Sequence, residues 1–287
     1  MVTRRRIVVI RLDRIGDVVL STPVLRALRC AYPESFIAMM VRPPCREIVE
    51  GHPDVNEAIL YDKDGAHRRV RDTMRFAWGL RRFGFDTALV LHPSNRSHWI
   101  PWLAGIPVRI GYDRKCGWLL THRVRHRKEK GAKHEAVYTL ELLTSLGIAP
   151  PPPEPMMPVS EGARQRVEEL LAQAHVTSNE RLVAIHPSAS CISKRWRHER
   201  FARVADRLVM EQGVRVCFVA GESDAMHARY AVQMMQQPAL DYAGRLSVGE
   251  LAALLDRCQL LISNDSGPVH IAAAVGTPVV DIFGRNQ

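Results

Sequence analysis

Three short stretches concentrate the side chains able to do chemistry. The first is Arg11-Leu12-Asp13-Arg14-Ile15-Gly16-Asp17-Val18. Gly16 permits a tight turn, and Asp17 falls at or near the start of the helix that follows. A carboxylate there either caps free helix N–H groups or acts as a general base on a bound hydroxyl. The G-x-G-x-x-G spacing of a dinucleotide site is absent.

The second stretch is His186-Pro187-Ser188-Ala189-Ser190-Cys191-Ile192-Ser193-Lys194-Arg195-Trp196. Serine hydroxyls, loop amides and two cations suit a diphosphate, although the Walker spacing G-x-x-x-x-G-K-[ST] is missing. An ordinary polar loop is the alternative. The third is Asn264-Asp265-Ser266-Gly267-Pro268-Val269-His270, opening a run of small residues. The free N–H groups and dipole of a helix starting at Gly267-Pro268 can hold a phosphate. Asp265 can accept hydrogen bonds from sugar hydroxyls. His270, on the first turn, is either part of that site or a packed core histidine.

Two further stretches are weighed. Asp62-Lys63-Asp64 has the D-x-D form used to bind metals, but its turn-like setting before Gly65 favours a solvated turn. The segment 122–130 carries Arg123, Arg125, Arg127, Lys128 and Lys130 against Glu129. It reads either as a solvated loop or as an anion-binding loop, since the guanidinium fork matches carboxylate and phosphate.

The elements that must position these stretches alternate in type. Residues 6–12, 36–41, 58–61 and 87–92 read as strands, and 18–31, 73–83 and 134–146 as helices. Six prolines in positions 150–158 then form a stiff connector. Beyond it, strands at 182–186, 214–220, 260–263 and 278–283 alternate with helices at 201–211, 225–235 and 248–256. Alternating β and α units imply parallel sheets covered on both faces. The expected fold is therefore α/β: two Rossmann-like domains, 1–149 and 161–287, joined by the linker 150–160 and facing a cleft. In such sheets ligands sit at the carboxyl ends of the strands, where all three stretches fall.

The net charge of +10 is one-sided. Residues 1–150 hold 26 Lys+Arg against 15 Asp+Glu, whereas residues 151–287 hold 14 against 15. The basic half points to an anionic partner. No zinc-finger, RRM or aromatic-interleaved basic pattern supports nucleic acid. The six cysteines include no C-x-x-C pair and read as reduced thiols. Neither a signal peptide nor an apolar run of about 18 residues is present, so any membrane contact is expected from the surface.

Together the stretches resemble the ADP-heptose:lipopolysaccharide heptosyltransferases of glycosyltransferase family 9, which have the GT-B fold. The marks are Arg14-Ile15-Gly16-Asp17-Val18, His186-Pro187 with Lys194-Arg195-Trp196, Ala243-Gly244-Arg245-Leu246-Ser247, Asn264-Asp265-Ser266-Gly267-Pro268 with His270, and Gly276-Thr277-Pro278. The resemblance implies an inverting, metal-independent transferase without a cofactor. Its donor would be ADP-L-glycero-D-manno-heptose, held by the second domain, and its acceptor the lipopolysaccharide inner core, bound by the first. By position Asp17 would be the base. Ser188, Ser190 and Lys194 would hold phosphate, Glu222 the ribose, Leu246 the nucleoside and Asp265 the heptose. Ser266, Gly267 and His270 would line the diphosphate-side helix. Arg14, Arg123, Arg125 and Arg127 are the acceptor-side candidates. The implied location is cytoplasmic, peripheral to the anionic inner face of the inner membrane. Family members usually continue past the strand at 278–283, so the C-terminal end reads as truncated. A different acceptor, such as a protein serine, or an ADP-sugar binder without turnover, are the alternatives.

Overall fold

The fold follows from short apolar runs buried on both faces. Ile7 to Ile10 are fully buried, as expected of a central parallel strand covered by helices on both sides. The computed structural model describes residues 4–127 and 133–284. Lys128, Glu129 and Lys130 of the basic segment lie outside the described residues, as do Arg285, Asn286 and Gln287. The chain divides into two compact units, Met1–Met156 and Met157–Gln287.

In the first unit the strands are β1 (Arg6–Ile10), β2 (Phe36–Val41), β3 (Glu57–Leu60), β4 (Thr87–Val90), β5 (Val108–Tyr112) and β6 (His122–Val124). They form one parallel sheet in the order β3-β2-β1-β4-β5-β6. The helices are α1 (Ile15–Val19), α2 (Thr22–Ala31), α3 (Arg46–Val49), α4 (Val70–Gly79), α5 (Asn95–Leu103) and α6 (Glu135–Glu141). The second unit adds α7 (Glu161–Gln173), β7 (Leu182–His186), α8 (His198–Gln212), β8 (Arg215–Phe218), α9 (Ala225–Gln233), β9 (Leu240–Asp241), α10 (Val248–Arg257), β10 (Leu260–Asn264), α11 (Gly267–Val275) and β11 (Val279–Ile282). Its parallel sheet runs β11-β10-β7-β8-β9. Both sheets therefore reverse direction of winding beside their first strand, between β1 and β4 and between β7 and β10. Such a switch point leaves a crevice at the strand ends.

Several boundaries differ from the sequence expectation. The single helix expected at 18–31 is two, α1 and α2, because Pro23 in the first turn of α2 has no N–H to donate to the carbonyl of Val19. Ser21 and Thr22 turn their hydroxyls back onto the carbonyls of Asp17 and Val19, at 2.7 and 2.8 Å. The helix expected at 73–83 begins earlier and tightens into a 3₁₀ turn, Leu80–Phe83, which Gly84 ends at φ +59°. Part of the basic segment at 122–130 is not a loop: His122–Val124 forms the edge strand β6. No helix among the described residues is long and apolar enough to cross a membrane.

Candidate functional site

The first unit's site is built around a buried arginine. Arg11 follows β1, is 2% exposed, donates to two carboxylates and forms an ion pair with a third. Its Nε lies 2.7 Å from Asp13, its Nη1 2.9 Å from Glu135 at the start of α6, and its Nη2 3.2 Å from Asp17 in α1. His92, just after β4, places Nδ1 3.1 Å from the other oxygen of Asp13. A buried guanidinium requires such partners, and its carboxylate neighbours outweigh burial to hold Arg11 firmly protonated. For Asp13, burial opposes ionisation, but the hydrogen bond from His92 and the charge of Arg11 together outweigh it and lower its pKa.

Asp17 differs. Burial, reinforced by repulsion from Asp13 and Glu135, exceeds the help from Arg11 and His92 and raises its pKa. The helix cap is Arg14, with no side-chain cap bond, so Asp17 sits on the third helical position rather than at the cap. It lines an open cavity of about 790 Å³ together with Arg11, Asp13, Lys63, His92, Asn95, Arg96, Arg114, Lys115 and Glu135. The cavity lies at the β1/β4 switch point. Arg14, Arg123, Arg125 and Arg127 are exposed and are not in its lining. His126 lines it instead, and its cations come from residues the sequence reading did not select. Arg96 is fixed by the carbonyls of Lys63, His67 and Arg68 at 3.0, 2.9 and 2.6 Å.

The D-x-D carboxylates are engaged locally. Asp62 accepts from the amides of Asp64, Gly65 and Ala66, which lower its pKa. Asp64 pairs with Arg42 at 2.5 Å.

In the second unit, β7 and β10 end side by side. Buried His186 directs Nδ1 at the hydroxyls of Ser266 and Ser263, at 3.1 and 3.3 Å. Its burial lowers its pKa to about 4, so the ring is neutral near pH 7. Ser188 is fully buried, and its hydroxyl has no hydrogen-bond partner among the described residues. Ser190 is exposed. Lys194, in the 3₁₀ turn Ile192–Lys194, lies 2.5 Å from Asp265. The loop is tied down by Trp196, whose amide donates to the Asn264 side chain at 2.9 Å, and by Arg195, whose Nε donates to the Ala189 carbonyl at 2.7 Å. Asp281 on β11 has its pKa raised by burial and by Asp265, against Lys194. Ser266 caps α11 without a side-chain bond, leaving its hydroxyl on His186.

Glu222 opens the 3₁₀ turn after β8, and half-buried Leu246 precedes α10. Gly244 joins the two segments: at φ +74°, a Cβ there would lie 3.4 Å from the Glu222 Cα. Ser188, Ser190, Lys194, Asp265, Ser266, Gly267 and His270 thus gather at the β7/β10 switch point, while Glu222 meets the Gly244 turn, which leads to Leu246, at the ends of β8 and β9. Sequence reasoning gave no role to Arg11, Asp13 or His186, although they fall in the quoted stretches, and did not select His92, Glu135 or Asp281. One signal was available: Leu91-His92-Pro93-Ser94 and Ile185-His186-Pro187-Ser188 repeat His-Pro-Ser at two strand ends.

Comparison with known proteins agrees with this architecture. Residues 73–287 match the family model described as glycosyltransferase family 9 (heptosyltransferase). Lipopolysaccharide heptosyltransferase 2 of Escherichia coli K12 is 28% identical over 98% of this chain and 83% of its own. The crystal structure of a family 9 glycosyl transferase from Veillonella parvula superposes with a TM-score of 0.91 at 29% identity, covering 99% of this chain and 82% of that one. The E. coli ADP-heptose lps heptosyltransferase II gives a TM-score of 0.83 at 25% identity, covering 98% and 86%. Two doubly wound parallel-sheet units of this order constitute the GT-B fold of these enzymes. The chain belongs to glycosyltransferase family 9, the heptosyltransferases.

Proposed function

We propose that this chain transfers a heptose from ADP-L-glycero-D-manno-heptose to a Kdo or heptose unit of the lipopolysaccharide inner core, with inversion and without a metal ion. The observation that carries the reading is Asp17: a half-buried carboxylate of raised pKa on the wall of a cationic cavity, held through Arg11. A base needs affinity for a proton, and burial supplies it. The acceptor hydroxyl gives its proton to Asp17 as its oxygen attacks the anomeric carbon. The bond to the ADP oxygen breaks, and the diphosphate takes up negative charge. Lys194, the amides of the 187–194 loop and the N-terminus of α11 are the groups that stabilise it. Asp265 contacts heptose hydroxyls, Leu246 packs on the nucleoside and Glu222 holds the ribose. Lys63, Arg96, Arg114 and Lys115 receive the carboxylates and phosphates of the acceptor. The names of the relatives support heptose and lipopolysaccharide.

The test is mass spectrometry of truncated lipopolysaccharide acceptors incubated with ADP-heptose, with and without a chelator. The expected result is one heptose added in both conditions. An acceptor left unmodified while the donor is bound would overturn the acceptor; transfer lost with chelator would overturn metal independence.

A further inference from the structure

Four of the five tryptophans are more than a third exposed, and all four are in the first unit. Trp78 is 67% exposed and Trp118 66%, with Trp99 and Trp102 at 37% and 49%. They share one helical layer. On α4, Val70, Met74 and Trp78 recur every four residues and are exposed, while Thr73 and Ala77 beneath them are buried. On α5, Trp99 and Trp102 face out while Ile100 and Pro101 are buried. The helix α4 packs on α5, and α5 on the 3₁₀ turn Gly117–Leu119 that carries Trp118. Arg81 binds the layer together. Its guanidinium lies 3.8 Å from the centre of the Trp78 ring and donates to the Leu103 carbonyl at 3.2 Å.

The geometry points to this face as a docking surface for an anionic phospholipid bilayer. Contiguous exposed apolar groups of this size mark a binding surface. Indole suits the boundary of a bilayer, its ring toward acyl chains and its N–H toward headgroups. Guanidinium groups match lipid phosphates. Residues 70–123 hold nine Lys+Arg against three Asp, and Arg71, Arg75, Arg81 and Arg82 are exposed on or beside α4. That charge decides between occupants. A second copy of this chain on a two-fold axis would set the arginine rows against each other, whereas an anionic surface attracts every one. The face is also continuous with the Asp17 cavity. Asn95 and Arg96, at the start of α5, and Arg114 and Lys115, just before the Trp118 turn, line that cavity. A glycan anchored in the bilayer would thus meet the cavity from the edge of the docked face; this last step rests on the acceptor reading above.

The test uses the full chain and two kinds of vesicle, phosphatidylcholine alone and phosphatidylcholine mixed with phosphatidylglycerol. Co-sedimentation and quenching of tryptophan fluorescence by brominated acyl chains report binding without any acceptor, so failure of the transferase reading leaves this measurement intact. Binding is expected to the anionic vesicles. The pair Trp78→Ser with Trp118→Ser, and separately Arg75→Glu with Arg82→Glu, are each expected to weaken it about tenfold or more. Both variants are expected to keep the wild-type circular dichroism and to transfer heptose to a soluble, delipidated acceptor as the wild type does. No binding of the wild type, equal binding by both variants, or a concentration-dependent dimer abolished by the same substitutions would each overturn the proposal.

Discussion

Arg11 holds Asp17 at 3.2 Å while bonding Asp13 and Glu135 more closely, at 2.7 and 2.9 Å. Asp17 is therefore the most loosely held of the three carboxylates, which suits a group that must take up a proton. Replacing it by asparagine keeps the shape and removes the base. Transfer by Asp17→Asn is expected to fall about 10²- to 10⁴-fold, with the affinity for ADP unchanged by calorimetry. Near-wild-type turnover would remove Asp17 from the mechanism.

The pKa directions fix the pH dependence. Asp17 is raised, so the acid limb of kcat/KM should lie above the ordinary aspartate value of about 4. Arg11→Met removes the largest influence lowering that pKa, and its acid limb should move further up. A limb that stays put would separate the limb from Asp17.

Stability follows with opposite signs for the two aspartates. Asp13 is lowered when folded, so its contribution is full above the unfolded aspartate value and is lost as pH falls through the folded value. Asp17 is raised when folded. Between its unfolded and folded values the folded state binds more protons, so stability falls as pH rises through that window. Asp17→Asn should therefore melt higher than wild type at pH 7, and the gain should vanish below the unfolded value. Arg11→Met strands three carboxylates and should lose about 3–5 kcal/mol in urea denaturation at pH 7, and less in acid, where those groups protonate.

Much of this layout was legible in the sequence, because strands buried on both faces read as apolar runs. Residues 182–186 were placed without error, and the three polar stretches fell at strand ends as parallel sheets require. What escaped was whatever lacked a pattern. The helix α5 carries Pro101 inside and polar residues at its start, so nothing in Asn95–Leu103 marks an amphipathic face. The capping box of Ser94 and Ser97 starts it instead. Arg11 looked like the charged end of a strand; only Glu135, 124 residues away, reveals that it is buried and paired. The most basic segment stands out in the sequence, whereas the cations lining the Asp17 cavity, Lys63, Arg96, Arg114 and Lys115, come from separate turns that the sheet brings together.

In the proposed reading, Lys194 serves the diphosphate and Asp265 the sugar, and variants of this ion pair test the two roles separately. Lys194→Ala should then weaken ADP and ADP-heptose alike, about 10- to 100-fold, the value of a hydrogen bond to a charged group. Asp265→Asn releases Lys194 from its ion pair. It should leave ADP affinity equal or tighter and weaken only the heptose-bearing donor. Ser188 adds a third contrast. Its buried hydroxyl has no partner among the described residues, so Ser188→Ala should leave the melting temperature unchanged or slightly higher. If this hydroxyl meets a phosphate oxygen, as proposed above, the same substitution should weaken ADP. Calorimetry of the three variants with ADP and with ADP-heptose reads all of this. Equal losses for both ligands in Asp265→Asn would move that carboxylate off the sugar, and unchanged ADP affinity in Lys194→Ala would move the diphosphate off this loop.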